Sequence, residues 1–108
     1  CKKIYEDSFV LSFYDINPQK KIHALVIPKG KYIDLDDFND KASNDEIVGL
    51  IKGVSKVAKK LGISIDEGNG YRTLSNISEH GGQEVPHLHL IFLNNQRRMD
   101  IQSNSYHL

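Results

Sequence analysis

Apolar and polar positions along the chain repeat with two different periods, and the switches between them outline the fold. Lys2 to Glu6 and Phe9 to Tyr14 are short alternating or apolar runs broken by Asp7-Ser8, the pattern of a β-hairpin. Asn17-Pro18-Gln19-Lys20 is turn chemistry, because proline fixes φ and its neighbours tolerate tight bends. Ile22 to Ile27 predicts a third strand, with His23, Leu25 and Ile27 on one face and Ile22, Ala24 and Val26 on the other. Both faces are mostly apolar, so this strand is expected at the centre of a sheet, covered on both sides. Pro28-Lys29-Gly30 ends it. Residues 31–42 set Tyr32, Leu35 and Phe38 among aspartates and read as a partly packed loop.

The period then changes to that of a helix. Ser43 with Glu46 three residues later is a capping box. Ile47, Leu50, Ile51, Val54, Val57, Ala58 and Leu61 follow as one apolar stripe. Lys59 and Lys60 complement the negative end of the helix dipole, and Gly62 is a natural stop. Such a stripe is core against a sheet. Tyr71 to Ser78 and Val85 to Leu93 return to strand patterning, joined by a glycine-containing loop, and the pattern fades in a polar tail over residues 94–108. The order of elements predicts an α+β domain over residues 1–93, with a largely antiparallel sheet and one long helix.

Composition narrows the function classes. A chain of 108 residues supports one domain with a modest core. Fourteen basic and fourteen acidic residues cancel, so the basic excess of a nucleic-acid groove is missing and no nucleic-acid partner is expected. No apolar stretch has the length of a membrane span, and a soluble protein with no membrane partner is expected. A single cysteine, Cys1, gives no disulfide framework, which fits a reducing compartment and a cytoplasmic location. The first residue is Cys1 and not Met, so an N-terminal segment is expected to be missing.

The chemistry concentrates in Gly81-Gly82-Gln83-Glu84-Val85-Pro86-His87-Leu88-His89-Leu90-Ile91-Phe92-Leu93. On an extended chain His87, His89 and Ile91 share one face, and Leu88, Leu90 and Phe92 share the other. Burying imidazole costs free energy unless its nitrogens find partners, so a pair at i, i+2 in an apolar run points to a site. The glycine pair allows close backbone approach to a ligand, and Gln83 and Glu84 add polar groups. Two other readings stay open here. The histidines can be core residues, or they can join His23 around a catalytic zinc, although zinc more often takes cysteine or carboxylate as well. A metal-free histidine mechanism ranks above the zinc reading.

Three stretches together, Phe13-Tyr14-Asp15-Ile16-Asn17-Pro18-Gln19, His23-Ala24-Leu25-Val26-Ile27-Pro28-Lys29 and Gly82 to His89, resemble the histidine triad (HIT) family, most closely its Hint-like branch of small nucleotide-binding phosphoramidases. The resemblance covers roughly residues 2–93. It implies an α+β sheet that pairs into a homodimer and an enzyme that cleaves purine nucleoside phosphoramidates or related nucleotidyl substrates without a cofactor. The family motif His-φ-His-φ-His-φ-φ, with φ apolar, reads here His87-Leu88-His89-Leu90-Ile91-Phe92-Leu93. The third histidine is replaced by Ile91, and the glycine pair that usually follows is replaced by Asn94-Asn95.

Carried over position by position, the resemblance makes His89 the nucleophile that forms a nucleotidyl-histidine intermediate. The backbone carbonyl of His87 would accept from the other ring nitrogen of His89, and His23 would brace the cluster. Asn76, Gln83 and the glycine-loop backbone would hold phosphate oxygens. Glu84 falls near the leaving group, where many relatives carry serine. Asp15 would accept from the ribose hydroxyls, and Ile4, Phe13 and Ile16 would line the base pocket, with plain core packing an equal reading for these three. No metal is implied. Isoleucine at position 91 can neither donate to a phosphate oxygen nor protonate a leaving group, so activity is expected to be weakened. A noncatalytic purine-nucleotide binding module is the alternative.

Overall fold

The computed structural model describes residues 2–15, 23–68 and 70–94. Its elements are β1 (Lys3–Glu6), β2 (Val10–Tyr14), β3 (His23–Pro28), α1 (Leu35–Lys41), α2 (Asn44–Leu61), α3 (Ile65–Gly68), β4 (Arg72–Leu74) and β5 (Leu90–Leu93). The strands form one antiparallel sheet in the order β1-β2-β3-β5-β4. The first hairpin closes through Asp7, whose Oδ1 accepts from the backbone N–H of Phe9 (2.8 Å) and Val10 (3.0 Å). That Asx geometry is why Asp7-Ser8 turns the chain.

One face of the sheet carries Val10, Ser12, Ala24, Val26 and Phe92, all fully buried, and α2 lies across it with Leu50, Val57 and Ala58. Large side chains buried this way contribute about 1.5–3 kcal/mol each. Helix and sheet meet closely at Gly53, where a Cβ would stand 3.0 Å from Val10 Cγ2. The capping box of α2 is present, with Ser43 Oγ accepting from Glu46 N and Glu46 Oε1 accepting from Ser43 N. Gly62 stops the helix at φ 75°, the left-handed conformation that glycine adopts without strain.

Four expectations are corrected. Residues 31–42 are not a loop: α1 occupies Leu35–Lys41, with Asp34 as N-cap accepting from Asp37 N, Asp36 and Asp37 in the first turn, and Phe38 buried. The aspartates that suggested a loop are the capping chemistry of a helix. β3 is central in the sheet, but α2 covers only its Ala24–Val26 face, and Leu25 and Ile27 are half-buried on the other. The strand expected over Tyr71–Ser78 ends at Leu74, and the one expected over Val85–Leu93 begins only at Leu90. Ile16, the turn at residues 17–20 and all of the tail after Asn94 lie outside the described residues, as does the side chain of His23. Among the described residues no helix is long and apolar enough to cross a membrane.

Candidate active site

Both histidines precede β5 in an irregular segment, and local chemistry explains why pairing stops short of them. Pro86 has no N–H to give to a ladder. It sits instead at the centre of a three-residue turn closed by His87 N donating to Val85 O at 2.8 Å, a turn its fixed φ suits. Leu88 N donates to Tyr32 O at 2.8 Å, and the Ser75 hydroxyl donates to His89 O at 2.9 Å. A serine hydroxyl and a distant carbonyl therefore take the places of strand partners.

The alternation read from the sequence survives without the strand. Leu88 and Phe92 are buried in the core and Leu90 packs against it, while His87, His89 and Ile91 are half-buried on the opposite side. His89 Nδ1 lies 2.8 Å from His87 O. A carbonyl only accepts, so Nδ1 carries the hydrogen, and in the neutral ring Nε2 keeps its lone pair. This contact joins the two histidines in the way the motif implies. The Nε2 of His87 is buried without a hydrogen-bond partner among the described residues.

Register places the other candidate positions. Ile91 pairs with Leu25 on β3 and Leu74 on β4, and Leu25 pairs in turn with Phe13 on β2. The position of the missing third histidine thus lies in an apolar row, Phe13–Leu25–Ile91–Leu74, on the face away from α2. Phe13 stands two strand spacings from β5, about 10 Å, a span a nucleoside monophosphate can bridge. Asp15 is half-buried just beyond the end of β2, and His23 opens β3 opposite Leu93. Ile4 on β1 packs against the buried core, which fits its plain structural reading. Asn76 is half-buried next to Ser75, and Glu84 is exposed.

Gln83 departs from expectation. Its Nε2 donates to Ile33 O (2.6 Å) and Val85 O (2.9 Å), and its Oε1 accepts from Ser78 N (2.8 Å). Both amide hydrogens are committed to the protein, so the side chain has no donor left for a phosphate. The carbonyls that receive the histidine segment, Tyr32 O and Ile33 O, were invisible to sequence reasoning because any residue supplies a carbonyl.

Residue 32 also ties this segment to α2. The Tyr32 hydroxyl donates to Glu46 Oε2 at 2.7 Å, and its ring meets Phe38 edge-on with centroids 5.0 Å apart. The Ser43 backbone N–H, followed by the Tyr32 hydroxyl, holds the Glu46 carboxyl below its ordinary value, and the same bond to Glu46 raises the Tyr32 hydroxyl. At the far end of β5, Asn94 Nδ2 donates to Gly70 O (2.8 Å) and approaches Gly68 O (3.3 Å), so one asparagine in place of the motif glycines fastens the loop after α3.

Comparison with known proteins identifies the family of the chain. The HIT domain family matches residues 1–96. An uncharacterized 13.2 kDa HIT-like protein of Azospirillum brasilense is 51% identical over 90 residues, covering 83% of this chain and 71% of the relative. The purine nucleoside phosphoramidase of Escherichia coli K12 is 39% identical over 92 residues, covering 83% and 72%. Among solved structures, a HIT family hydrolase from Legionella pneumophila superposes with a TM-score of 0.74 at 35% identity, covering 87% of this chain and 80% of that one. A paired histidine segment on an antiparallel sheet backed by one long helix, matched along nearly the whole chain, makes this protein a member of the HIT domain family.

Proposed function

We propose that this chain is a nucleotidyl hydrolase acting through His89 on purine nucleoside phosphoramidates or related nucleotidyl substrates. The observation that carries the reading is the 2.8 Å contact between His89 Nδ1 and His87 O, which leaves Nε2 as a nucleophile of fixed orientation. The relative named purine nucleoside phosphoramidase supports the substrate class.

In the proposed cycle Nε2 gives its lone pair to the α-phosphorus. The bond from phosphorus to the amine breaks, and the amine nitrogen keeps the electron pair and takes a proton from solvent. Water then attacks phosphorus, the bond to Nε2 breaks with its electrons returning to the imidazole, and the water's proton passes to solvent. Asn76 and the glycine-loop backbone are assigned to the phosphate oxygens, Glu84 to the vicinity of the leaving group, Asp15 to the ribose, and Phe13, with Ile16, to the base, while Ile4 keeps its core reading. His23 is assigned a bracing role. Gln83 is withdrawn from the phosphate because its donors are committed. We also infer a homodimer, supported by Val48 and Ile51, which stand 49% and 63% exposed on α2.

A noncatalytic purine-nucleotide binding module is the second reading, and the apolar row around Ile91 is the observation that favours it. Hydrolysis of an adenosine phosphoramidate after exhaustive chelation, with calorimetry on AMP and GMP, separates the two. The hydrolase reading expects slow wild-type turnover that disappears in His89→Ala, with AMP binding retained. Binding without any turnover supports the module, and loss of wild-type activity on chelation supports a metal centre.

A further inference from the structure

We infer that Gln83 is a positioning residue whose amide aligns the histidine segment for attack. The inference rests on the assignment of His89 as nucleophile. The hydrogen bonds form a short path: Gln83 Nε2 donates to Val85 O, the same carbonyl accepts from His87 N, and His87 O accepts from His89 Nδ1. The second amide hydrogen reaches Ile33 O at 2.6 Å, one residue from the Tyr32 carbonyl that holds Leu88 N between the two histidines. Residues 32 and 33 thus receive the segment at two points, and Gln83 supplies one of them.

The glycine loop is closed by the same residue. Ser78 N donates to Gln83 Oε1 and Gln83 N donates to Ser78 O at 2.9 Å, so side chain and backbone of Gln83 both bind Ser78. Ser78 has φ 58°, a left-handed conformation that a non-glycine residue adopts at a cost, and these two bonds hold it there. The partners also fix the orientation of the amide. Two carbonyls require donors and one N–H requires an acceptor, and the opposite orientation would set oxygen against oxygen twice. Among side chains of this length only glutamine offers two donors and one acceptor from a single planar group. Glutamate keeps the acceptor and puts negative charge against two carbonyls. Methionine keeps the length and loses every bond.

The test compares wild type, Gln83→Glu and Gln83→Met on an adenosine phosphoramidate. A positioning role predicts that both variants lose kcat on the order of 10²-fold, as misplaced reacting groups do, while KM and AMP affinity change little. It also predicts that Gln83→Glu, measured relative to wild type, recovers as pH falls towards about 4.3, where a protonated carboxyl regains a donor. Gln83→Met should show no such recovery. A fall in AMP affinity matching the fall in kcat would overturn the inference by making Gln83 a phosphate ligand. An unchanged kcat in a merely less stable protein would overturn it by making the residue only structural. Amide hydrogen exchange judges the alignment apart from the chemistry. Leu88 and the 78–83 loop should exchange faster in Gln83→Met, and unchanged protection there refutes the clamp even if His89 proves not to be the nucleophile.

Discussion

Ile91→His restores the third motif histidine to a row that register makes apolar on both sides, with Leu25 and Leu74 as direct neighbours and Phe13 beyond. Two penalties follow in the folded state. Losing the half-buried isoleucine removes about 1 kcal/mol of transfer free energy. Seating an imidazole nitrogen among hydrocarbon without a partner adds about 1–2 kcal/mol, moderated because the site is half-buried and water can reach part of the ring. The variant should therefore be less stable by about 2–3 kcal/mol in urea denaturation, with an unchanged m-value. Against that loss stands a gain in chemistry. A donor on the His87–His89 face can stabilise charge on the phosphate or the departing amine, an effect on the order of 10²-fold for one well-placed group. Rates with an adenosine phosphoramidate, measured below the denaturation range, report the gain. A variant as stable as wild type would contradict the apolar row. A stably folded variant with no gain in rate would contradict the placement of position 91 beside the reacting groups.

Ser12 is fully buried on β2, and its hydroxyl has no hydrogen-bond partner among the described residues, so Ser12→Ala should stabilise the fold by about 1 kcal/mol in the same denaturation assay. Glu6 is held down to about 2, first by Lys29 at 2.7 Å and then by Lys3 at 2.9 Å. A depressed folded-state value means that its stabilisation is full above the ordinary carboxylate range and lost as pH falls from about 4.5 towards 2. The stability gap between wild type and Glu6→Gln should be full above that window and close as pH falls through it, and it should shrink at high salt because the pair is exposed. Light scattering should return a dimer at micromolar concentration, and Ile51→Lys should shift it towards monomer if the α2 face is the contact.

The parts of the fold that were legible in the sequence are those whose causes are local. Ser43, Glu46, the stripe from Ile47 to Leu61 and Gly62 define α2 almost to the residue, since caps and helical spacing act within a few positions. The first three strands follow from alternation and turn chemistry in the same way. α1 was illegible because Asp34, Asp36, Asp37 and Asp40 look like loop composition until Asp34 is seen to cap and Phe38 to be buried. The ends of β4 and β5 depend on tertiary bonds, Ser75 Oγ to His89 O and Leu88 N to Tyr32 O, which no window of sequence contains. The histidine pair itself was legible, and so was its alternation with Leu88 and Leu90. The work of Gln83 was not, because the same amide can serve a phosphate or three backbone groups, and only the fold decides which.

The covalent step is the centre of the account, and intact-protein mass spectrometry on acid-free quenched mixtures of enzyme and adenosine phosphoramidate reads it directly. Wild type should show a transient mass increase of one adenylyl group, mapped to His89 after digestion and absent in His89→Ala. Turnover by wild type with no such adduct at any time, or an adduct that persists in His89→Ala, would contradict the nucleophile assignment.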